Sequence, residues 1–226
     1  MDLKDYLNDN FPKLILKPSL YDQWSVGLHF DLAKGLYQLK SDSDELNLEY
    51  FNMVYKQTLT LFHELFAEND KILLVTNLYK KKIFQRQSNK KMKVYRHFIK
   101  NKTVRYQLKQ QLLPFMFEDE EEAEESLTSQ FSLLCRKQDI NYTLLLKAIC
   151  NQDFPSLKPR LHNPYGLYKP DVFFINVTKH IIFYVYDDRG CEVIASEQAR
   201  IQPIYENYND WINEFNREEI NRLFQS

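Results

Sequence analysis

The chain has 226 residues, of which 44% are hydrophobic and 15% aromatic, and its formal net charge is −1. This composition predicts a large, ring-rich core, and the near-zero charge argues against a dedicated nucleic-acid coat protein. The four glycines are too scattered to form a GxGxxG or P-loop motif, which excludes nucleotide enzymes built on those motifs.

The cysteines and the amino terminus indicate the compartment. Cys135, Cys150 and Cys191 are widely spaced and contain no CxxC pair, so neither a disulfide framework nor a zinc site is expected. The first residues, MDLKDYLNDNF, lack the apolar core of a signal peptide. No apolar run reaches the roughly 18 residues of a membrane span. We therefore predict a cytoplasmic protein without membrane contact, metal or cofactor.

The amino-terminal half contains alternating helix and strand patterns. Hydrophobic spacing predicts a short helix over residues 1–9 and a strand over residues 24–30. Leu46–Ala67 has the strongest helical period, and Lys71–Tyr79 follows as a buried strand. A helix between two strands at this spacing favours a right-handed crossover.

The middle of the chain separates its charges into two blocks. Residues 80–105 are basic with interleaved aromatic residues, and residues 118–125 are almost wholly acidic. The basic block could bind a phosphate backbone through its cations and bases through its rings. The near-neutral total charge favours solvated segments instead, so we expect flexible charged loops near 80–93 and 118–126 and disfavour a nucleic-acid partner.

The carboxy-terminal half is predicted to contain a strand, a helix, a β-meander and a further helical segment. Thr128–Lys137 is predicted as a strand, residues 139–150 as a helix, residues 171–196 as a three-stranded meander, and Glu197–Phe224 as helical. The fold class is therefore α+β: one domain over residues 1–226, in which a mixed sheet ends in an antiparallel β-meander and helices pack against it. The middle strand should be covered on both faces, because its residues are apolar throughout.

The last two meander strands are joined by the stretch YDDRG. A hairpin loop over residues 187–190 would place Tyr186 opposite Cys191 and give Gly190 a positive φ. Asp187 or Asp188 would hydrogen-bond the turn, and Arg189 would pair with one of them. Neighbouring side chains in extended chain point to opposite faces, which places the two acids poorly for one metal ion. We therefore expect a structural turn that also offers Asp187, Asp188 and Arg189 as polar contacts.

Two catalytic motifs are incomplete. Pro170-Asp171 begins a strand as in PD-(D/E)xK nucleases, but the following Asn176–Lys179, NVTK, has Val where the second acid is required. His63-Glu64 starts an HExxH pattern whose last position is Ala67. No catalytic residue is predicted from these motifs.

A helical stripe near the carboxy terminus contains three large rings. Tyr205, Tyr208 and Trp211 are expected to pack against the meander, as an amphipathic stripe normally does. Tyr and Trp are also common hot spots of protein interfaces, so these three residues are candidate contacts for a protein partner.

Several of these motifs resemble a known family. The chain is similar to a bacterial family of unknown function, found mostly in Gram-positive bacteria of low GC content. The motifs that carry the resemblance are YDDRG at Tyr186–Gly190, VIA at Val193–Ala195, PIY at Pro203–Tyr205, the YxxW of Tyr208 and Trp211, and RxxI…F at Arg217, Ile220 and Phe224. The resemblance covers nearly the whole chain and transfers no catalytic residue.

The sequence favours a non-enzymatic protein-binding module, similar in fold style to immunity proteins that neutralise a toxin. The acidic run would attract a basic protein partner, and the many Tyr and Trp residues could contact it. Two alternatives stay open: a hydrolase or metal-dependent nuclease using the Asp187/Asp188 region, and nucleic-acid binding through residues 80–105. The sequence leaves the oligomeric state open.

Overall fold

The computed structural model of the chain describes residues 1–84, 93–117, 120–161, 163 and 168–225. These residues form a seven-stranded sheet with helices on both faces. The α+β class predicted from the sequence is confirmed. None of the described helices is long and apolar enough to cross a membrane.

The elements follow one another as helix and strand along the chain. The helices are α1 Leu3–Asn10, α2 Leu20–Gln23, α3 Leu48–Leu65, α4 Lys93–Phe98, α5 Lys102–Arg105, α6 Glu120–Glu125, α7 Tyr142–Cys150, α8 Gln202–Asn207 and α9 Arg217–Phe224. The strands are β1 Gly27–Asp31, β2 Lys71–Lys81, β3 Lys109–Pro114, β4 Ser126–Arg136, β5 Asp171–Asn176, β6 Ile181–Val185 and β7 Gly190–Ala195.

The strand order in the sheet is β1-β7-β6-β5-β2-β4-β3. Every pairing between these strands is antiparallel, so the prediction of a mixed sheet is wrong in this respect. β1 and β2, the strands on either side of α3, do run in the same direction, as a crossover requires. They are not neighbours, because the complete meander β5-β6-β7 lies between them.

One face of the sheet is covered by α3 and α7. Asn47 caps α3 by accepting hydrogen bonds from the N–H groups of Glu49 and Tyr50. The helix then packs an apolar stripe against the sheet, where the ring of Phe62 lies edge-on to that of Phe174, 5.2 Å between centroids. This face is a continuous apolar core, and we call it the helix face.

The opposite face is covered by α1 and the chain that follows it. Leu3, Phe11 and Leu20 pack there against Phe173 and Ile182 of the meander. Every residue of β6 is buried, so the predicted cover on both faces of the middle strand is confirmed. This second cover ends near Leu20, and the part of the sheet beyond it holds the cavity described below.

Three local predictions differ from the structure. The edge strand β3 was missed, because five of its six residues are exposed and it therefore has no apolar alternation. Residues 120–125 form α6 where a loop was expected. In the segment 80–93, β2 extends to Lys81 and a 3₁₀ turn covers residues 82–84, while residues 85–92 lie outside the described part.

Candidate functional site

A cavity of about 520 Å³ opens on the face of the sheet opposite α3. We call it the sheet-face cavity. Its wall is built from β1, β2, β5, β6 and β7, and its rim from the segment at Pro18-Ser19 and from residues next to the β6–β7 turn. Alternate residues of a strand share a face, so side chains distant in sequence converge here.

Asp171 is the central acid of the sheet-face cavity. It begins β5 and accepts a hydrogen bond from the Tyr184 hydroxyl at 2.7 Å on Oδ1 and another from the Tyr79 hydroxyl on Oδ2. Burial raises the pKa of Asp171 to about 6, although the two hydroxyl donors act in the opposite direction. A carboxyl group that titrates near neutral pH can both accept and donate a proton.

Glu192 is a second buried acid on the same wall. It is 5% exposed and accepts hydrogen bonds from the backbone N–H groups of Leu20, at 2.7 Å, and Tyr21, at 3.4 Å. Burial raises the pKa of this carboxyl, while the two N–H groups lower it. These contacts attach the segment that covers the sheet to the edge of the cavity.

His29 and Tyr186 complete the polar wall. His29 lies opposite Glu192 in the β1–β7 register. Its Nδ1 is 2.8 Å from Oδ1 of Asn216, and its Nε2 is 3.1 Å from the Tyr186 hydroxyl. Both ring nitrogens are thereby held in place, which fixes the orientation of the imidazole towards the cavity.

The Tyr186 ring has room only because residue 190 is a glycine. A Cβ on Gly190 would lie 1.9 Å from the Tyr186 hydroxyl oxygen and 2.6 Å from the Phe30 carbonyl oxygen. The predicted positive φ at Gly190 is wrong, since the described backbone has a positive φ among glycines only at Gly35. Close approach of the ring, and not turn conformation, explains this glycine.

The hairpin register also differs from the prediction by one residue. Val185, not Tyr186, lies opposite Cys191, and the Tyr186 N–H donates to the Gly190 carbonyl. The loop therefore comprises residues 187–189. Because a shift of one residue reverses the face of every side chain, the observed register places Tyr184 beside Glu192.

The two turn aspartates have different partners. Asp187 accepts from the Arg189 N–H at 2.8 Å and pairs with its guanidinium, as expected of a turn residue. Asp188 instead reaches the helix face, where the Tyr50 hydroxyl donates at 2.9 Å and the Gln38 amide at 2.7 Å. Burial raises the pKa of Asp188. The hydrogen bonds of Asp187 are therefore those of a turn residue, whereas the side chain of Asp188 bonds to residues outside the turn.

The turn also brings these acids together with a third one. Carboxylate oxygens of Asp153, Asp187 and Asp188 lie within 4.8 Å of one another. The expectation of opposed side chains applies to extended chain, and the turn instead brings the two carboxylates close together. Asp153 is paired with Lys169 at 2.8 Å, as Asp187 is with Arg189, so two cations already neutralise part of this cluster.

Tyr205, Tyr208 and Trp211 do not line the sheet-face cavity. Tyr205 is buried and stacks on Phe224 with 4.8 Å between ring centroids. Tyr208 and Trp211 contact each other at 4.7 Å and pack on the edge of the helix-face core. The structure therefore brings Asp187 and Arg189 to the cavity and leaves these three rings elsewhere.

The basic and acidic blocks meet within the chain. Lys81 pairs with Glu125 at 3.0 Å, and Lys82 donates to the Glu124 carbonyl. Lys80 is buried in β2. These contacts use part of the positive charge that a nucleic acid would need. A nucleic-acid partner stays disfavoured, as a prediction from the sequence.

Sequence reasoning missed most of the cavity wall. His29, Tyr79, Tyr184 and Glu192 were not singled out, and Asp171 was considered only as part of an incomplete nuclease motif. A usable signal was present in β1 and β7, where His29 and Glu192 each stand between two apolar residues of a strand (GLHFD and GCEVIA). A titratable side chain buried in a strand is a candidate for a functional role.

Two comparisons bear on this chain. The family model described as Domain of unknown function (DUF3885) matches residues 3–216. The chain is also similar to the "Uncharacterized protein YnaE" of Bacillus subtilis (strain 168), with 49% identity over 215 residues that cover 95% of this chain and 99% of the relative. No solved structure matches the chain significantly.

Proposed function

Because the chain belongs to the family described as Domain of unknown function (DUF3885), we propose its function from the geometry of its own site. The protein binds a small polar ligand in the sheet-face cavity. The observation that carries this proposal is a half-buried carboxyl group, Asp171, with a pKa of about 6 on the wall of a cavity of about 520 Å³. A concave pocket with a few convergent polar groups is the usual form of a small-molecule site.

The same arrangement supports proton transfer to or from a bound ligand. Asp171 is held by two tyrosine hydroxyls, which keeps its carboxyl in a defined orientation. A carboxyl group with a pKa near 6 acts efficiently as a general acid or base at neutral pH. This is the enzymatic version of the proposal, and a hydrolase that used the neighbouring Asp187/Asp188 region would share this rim.

A ligand screen tests the proposal. Compounds from cationic, neutral and anionic classes are compared by thermal shift, and hits are located by crystallography. A ligand at roughly 100 times its Kd adds about 2.7 kcal/mol to stability, which raises the Tm of a chain of this size by several degrees. We expect at least one class to produce this shift and to occupy the cavity.

Matched variants show whether binding uses this cavity. Tyr168→Ala removes a wall ring that stacks on Phe117 at 4.7 Å, and we expect it to weaken binding. Tyr106→Ala, at a residue that is 89% exposed and does not line the cavity, should leave binding unchanged. Absence of any hit, or hits that both variants affect equally, contradicts the proposal.

A protein partner of the immunity type is a second candidate. It is supported by three exposed apolar side chains on segments that lie together, Tyr37 (80% exposed), Leu39 (43%) and Leu48 (62%). Such a patch is a common feature of interaction sites. Co-expression with products of adjacent genes should then relieve their toxicity, and Tyr37→Ser combined with Leu48→Ser should abolish the relief. No relief by the unmodified protein removes this candidate.

We also propose that the protein works in the cytoplasm. Cys135, Cys150 and Cys191 are all buried and unpaired. Free thiols are typical of proteins in a reducing compartment.

A further inference from the structure

The wall of the sheet-face cavity contains two carboxylates, half-buried Asp171 and buried Glu192. Asp171 accepts hydrogen bonds only from tyrosine hydroxyls and Glu192 only from backbone N–H groups, counted over the described residues. Neither carboxylate forms a salt bridge within that part of the chain. A buried carboxylate without a counter-ion is costly, and a positive charge placed beside it is correspondingly favourable.

The cations at the rim do not supply this charge. Lys169 Nζ is 2.8 Å from Asp153 Oδ1 and 2.9 Å from the Gln152 carbonyl oxygen. The Arg189 guanidinium is paired with Asp187. Each rim cation is thus paired with its own acid, and neither forms a salt bridge with Asp171 or Glu192.

Glu192 retains an unused acceptor at this wall. Both of its hydrogen bonds within the described residues end on Oε2, which leaves Oε1 without a hydrogen-bond donor there. The residue is 5% exposed and lines the cavity. A ligand with an N–H donor could satisfy this oxygen without displacing an existing partner.

The cation that fits is organic and not a metal ion. Among the described residues, Asp171 and Glu192 belong to no group of three acids, histidines or cysteines close enough to share an ion. Their surroundings are aromatic instead. The rings that line the cavity are those of Tyr79, Phe117, Tyr168, Tyr184 and Tyr186. Aromatic faces attract ammonium groups and also bury the apolar part of an organic cation.

We propose that the ligand of the sheet-face cavity is a small organic cation with an ammonium group, which lies between Asp171 and Glu192 and against the tyrosine rings. This inference rests on the proposed small-molecule function and names the chemical class of the ligand. The carboxylates select the charge, and the rings select an apolar or aromatic skeleton attached to it.

Three probes with one skeleton test the charge preference. Benzylamine, benzyl alcohol and benzoate share an aromatic ring and differ mainly in charge. At neutral pH we expect benzylamine to bind about tenfold more tightly than benzyl alcohol, as measured by calorimetry, and benzoate not to bind. Equal or tighter binding of benzyl alcohol or benzoate overturns the inference while leaving a small-molecule function in place. No binding of any probe also overturns it, and the wider screen then decides the proposed function.

Two variants and a control locate the interaction. Asp171→Asn and Glu192→Gln should each remove most of the preference for benzylamine over benzyl alcohol, because each deletes one negative charge. Asp210→Asn deletes a charge at an exposed residue outside the cavity and should leave the preference intact. A preference that survives both cavity substitutions contradicts the inference.

The pH dependence of the unmodified protein gives a test that needs no variant. Benzylamine affinity should fall as the pH drops through about 6, where Asp171 becomes protonated. Tyr79 from β2 and Tyr184 from β6 face Asp171 directly. The other titratable or charged groups around the cavity are His29, Tyr168, Lys169, Tyr186, Asp187, Arg189 and Glu192. Protonation of Glu192, whose pKa burial also raises, would weaken binding in the same direction. An affinity that rises on acidification contradicts the inference.

Discussion

The two faces of this sheet are built from the same strands and differ in how far they are covered. On the helix face, Phe174 and Phe183 are fully buried beneath Phe62 of α3. On the opposite face, the neighbouring residue Tyr184 directs its hydroxyl to Asp171. The apolar cover is continuous on the first face and ends near Leu20 on the second, and polar side chains line the cavity beyond it.

The free energy of unfolding should fall most when a packed side chain is removed from the helix face. Phe62→Ala removes a fully buried ring in contact with Phe66, Phe174 and Tyr142. We expect the free energy of unfolding, measured by urea denaturation, to fall by about 3–5 kcal/mol because of the cavity left behind.

The control for this substitution is Phe215→Ala, since Phe215 is 95% exposed. Its effect should stay within about 0.5 kcal/mol. A loss at position 62 as small as the loss at position 215 would show that the helix face is not tightly packed.

The stability of the protein should depend on pH through Asp171 in the sheet-face cavity. Burial raises the pKa of Asp171 from 3.8 to about 6, so the folded protein holds this proton more tightly than the unfolded chain. The favourable contribution of the protonated carboxyl is complete below about pH 4 and is lost as the pH rises through about 6. Asp171→Asn has no such titration. As the pH rises from about 4 to above 6, the stability of the Asp171→Asn variant relative to the unmodified protein should therefore increase, by at most about 3 kcal/mol.

The measurement is a series of urea denaturations from acid to neutral pH. Asp210→Asn serves as the control, because it makes the same chemical change at an exposed residue outside the cavity. A difference for Asp171→Asn that is flat, or that decreases as the pH rises, contradicts the assignment of Asp171 as a carboxyl that burial disfavours.

A smaller loss of stability is expected at Gly190, where β7 begins. Gly190→Ala would place a methyl group against the Tyr186 hydroxyl and the Phe30 carbonyl, and it should cost about 1–3 kcal/mol. Tyr186→Ala removes the ring that the new methyl group would meet. In a chain that already carries Tyr186→Ala, the loss of stability caused by Gly190→Ala should therefore be smaller.

Gly35→Ala is the matched control in thermal denaturation. Gly35 has a φ of 85° and no atom within 4 Å of an added Cβ, so its substitution strains only the backbone. Tyr186→Ala should leave that cost unchanged. Equal recovery at both glycines would show that ring contact is not the reason for Gly190.

Local patterns in the sequence were sufficient for much of the fold. The helical period of Leu46–Ala67 predicted α3 to within two residues at each end. The apolar runs predicted the three strands of the meander, and the family resemblance was correct. The exposed strand β3 was missed because it buries almost nothing and therefore carries no hydrophobic period.

The candidate site was only partly predictable. The stretch YDDRG drew attention to Asp187 and Arg189, which do lie at the rim of the cavity. Asp171 and Glu192 could not be connected to it, because a single residue in the hairpin register decides which side chains share a face.

The sequence by itself determined the fold class, most of the elements and the existence of a tight turn after β6, since these depend on residues close together in the chain. Only the tertiary structure decided that His29, Asp171 and Glu192 border one cavity, because they come from strands far apart in sequence that the sheet order brings together. The raised pKa of Asp171 also depends on the tertiary structure, because desolvation is set by all the atoms packed around a carboxyl group and not by its neighbours in the chain.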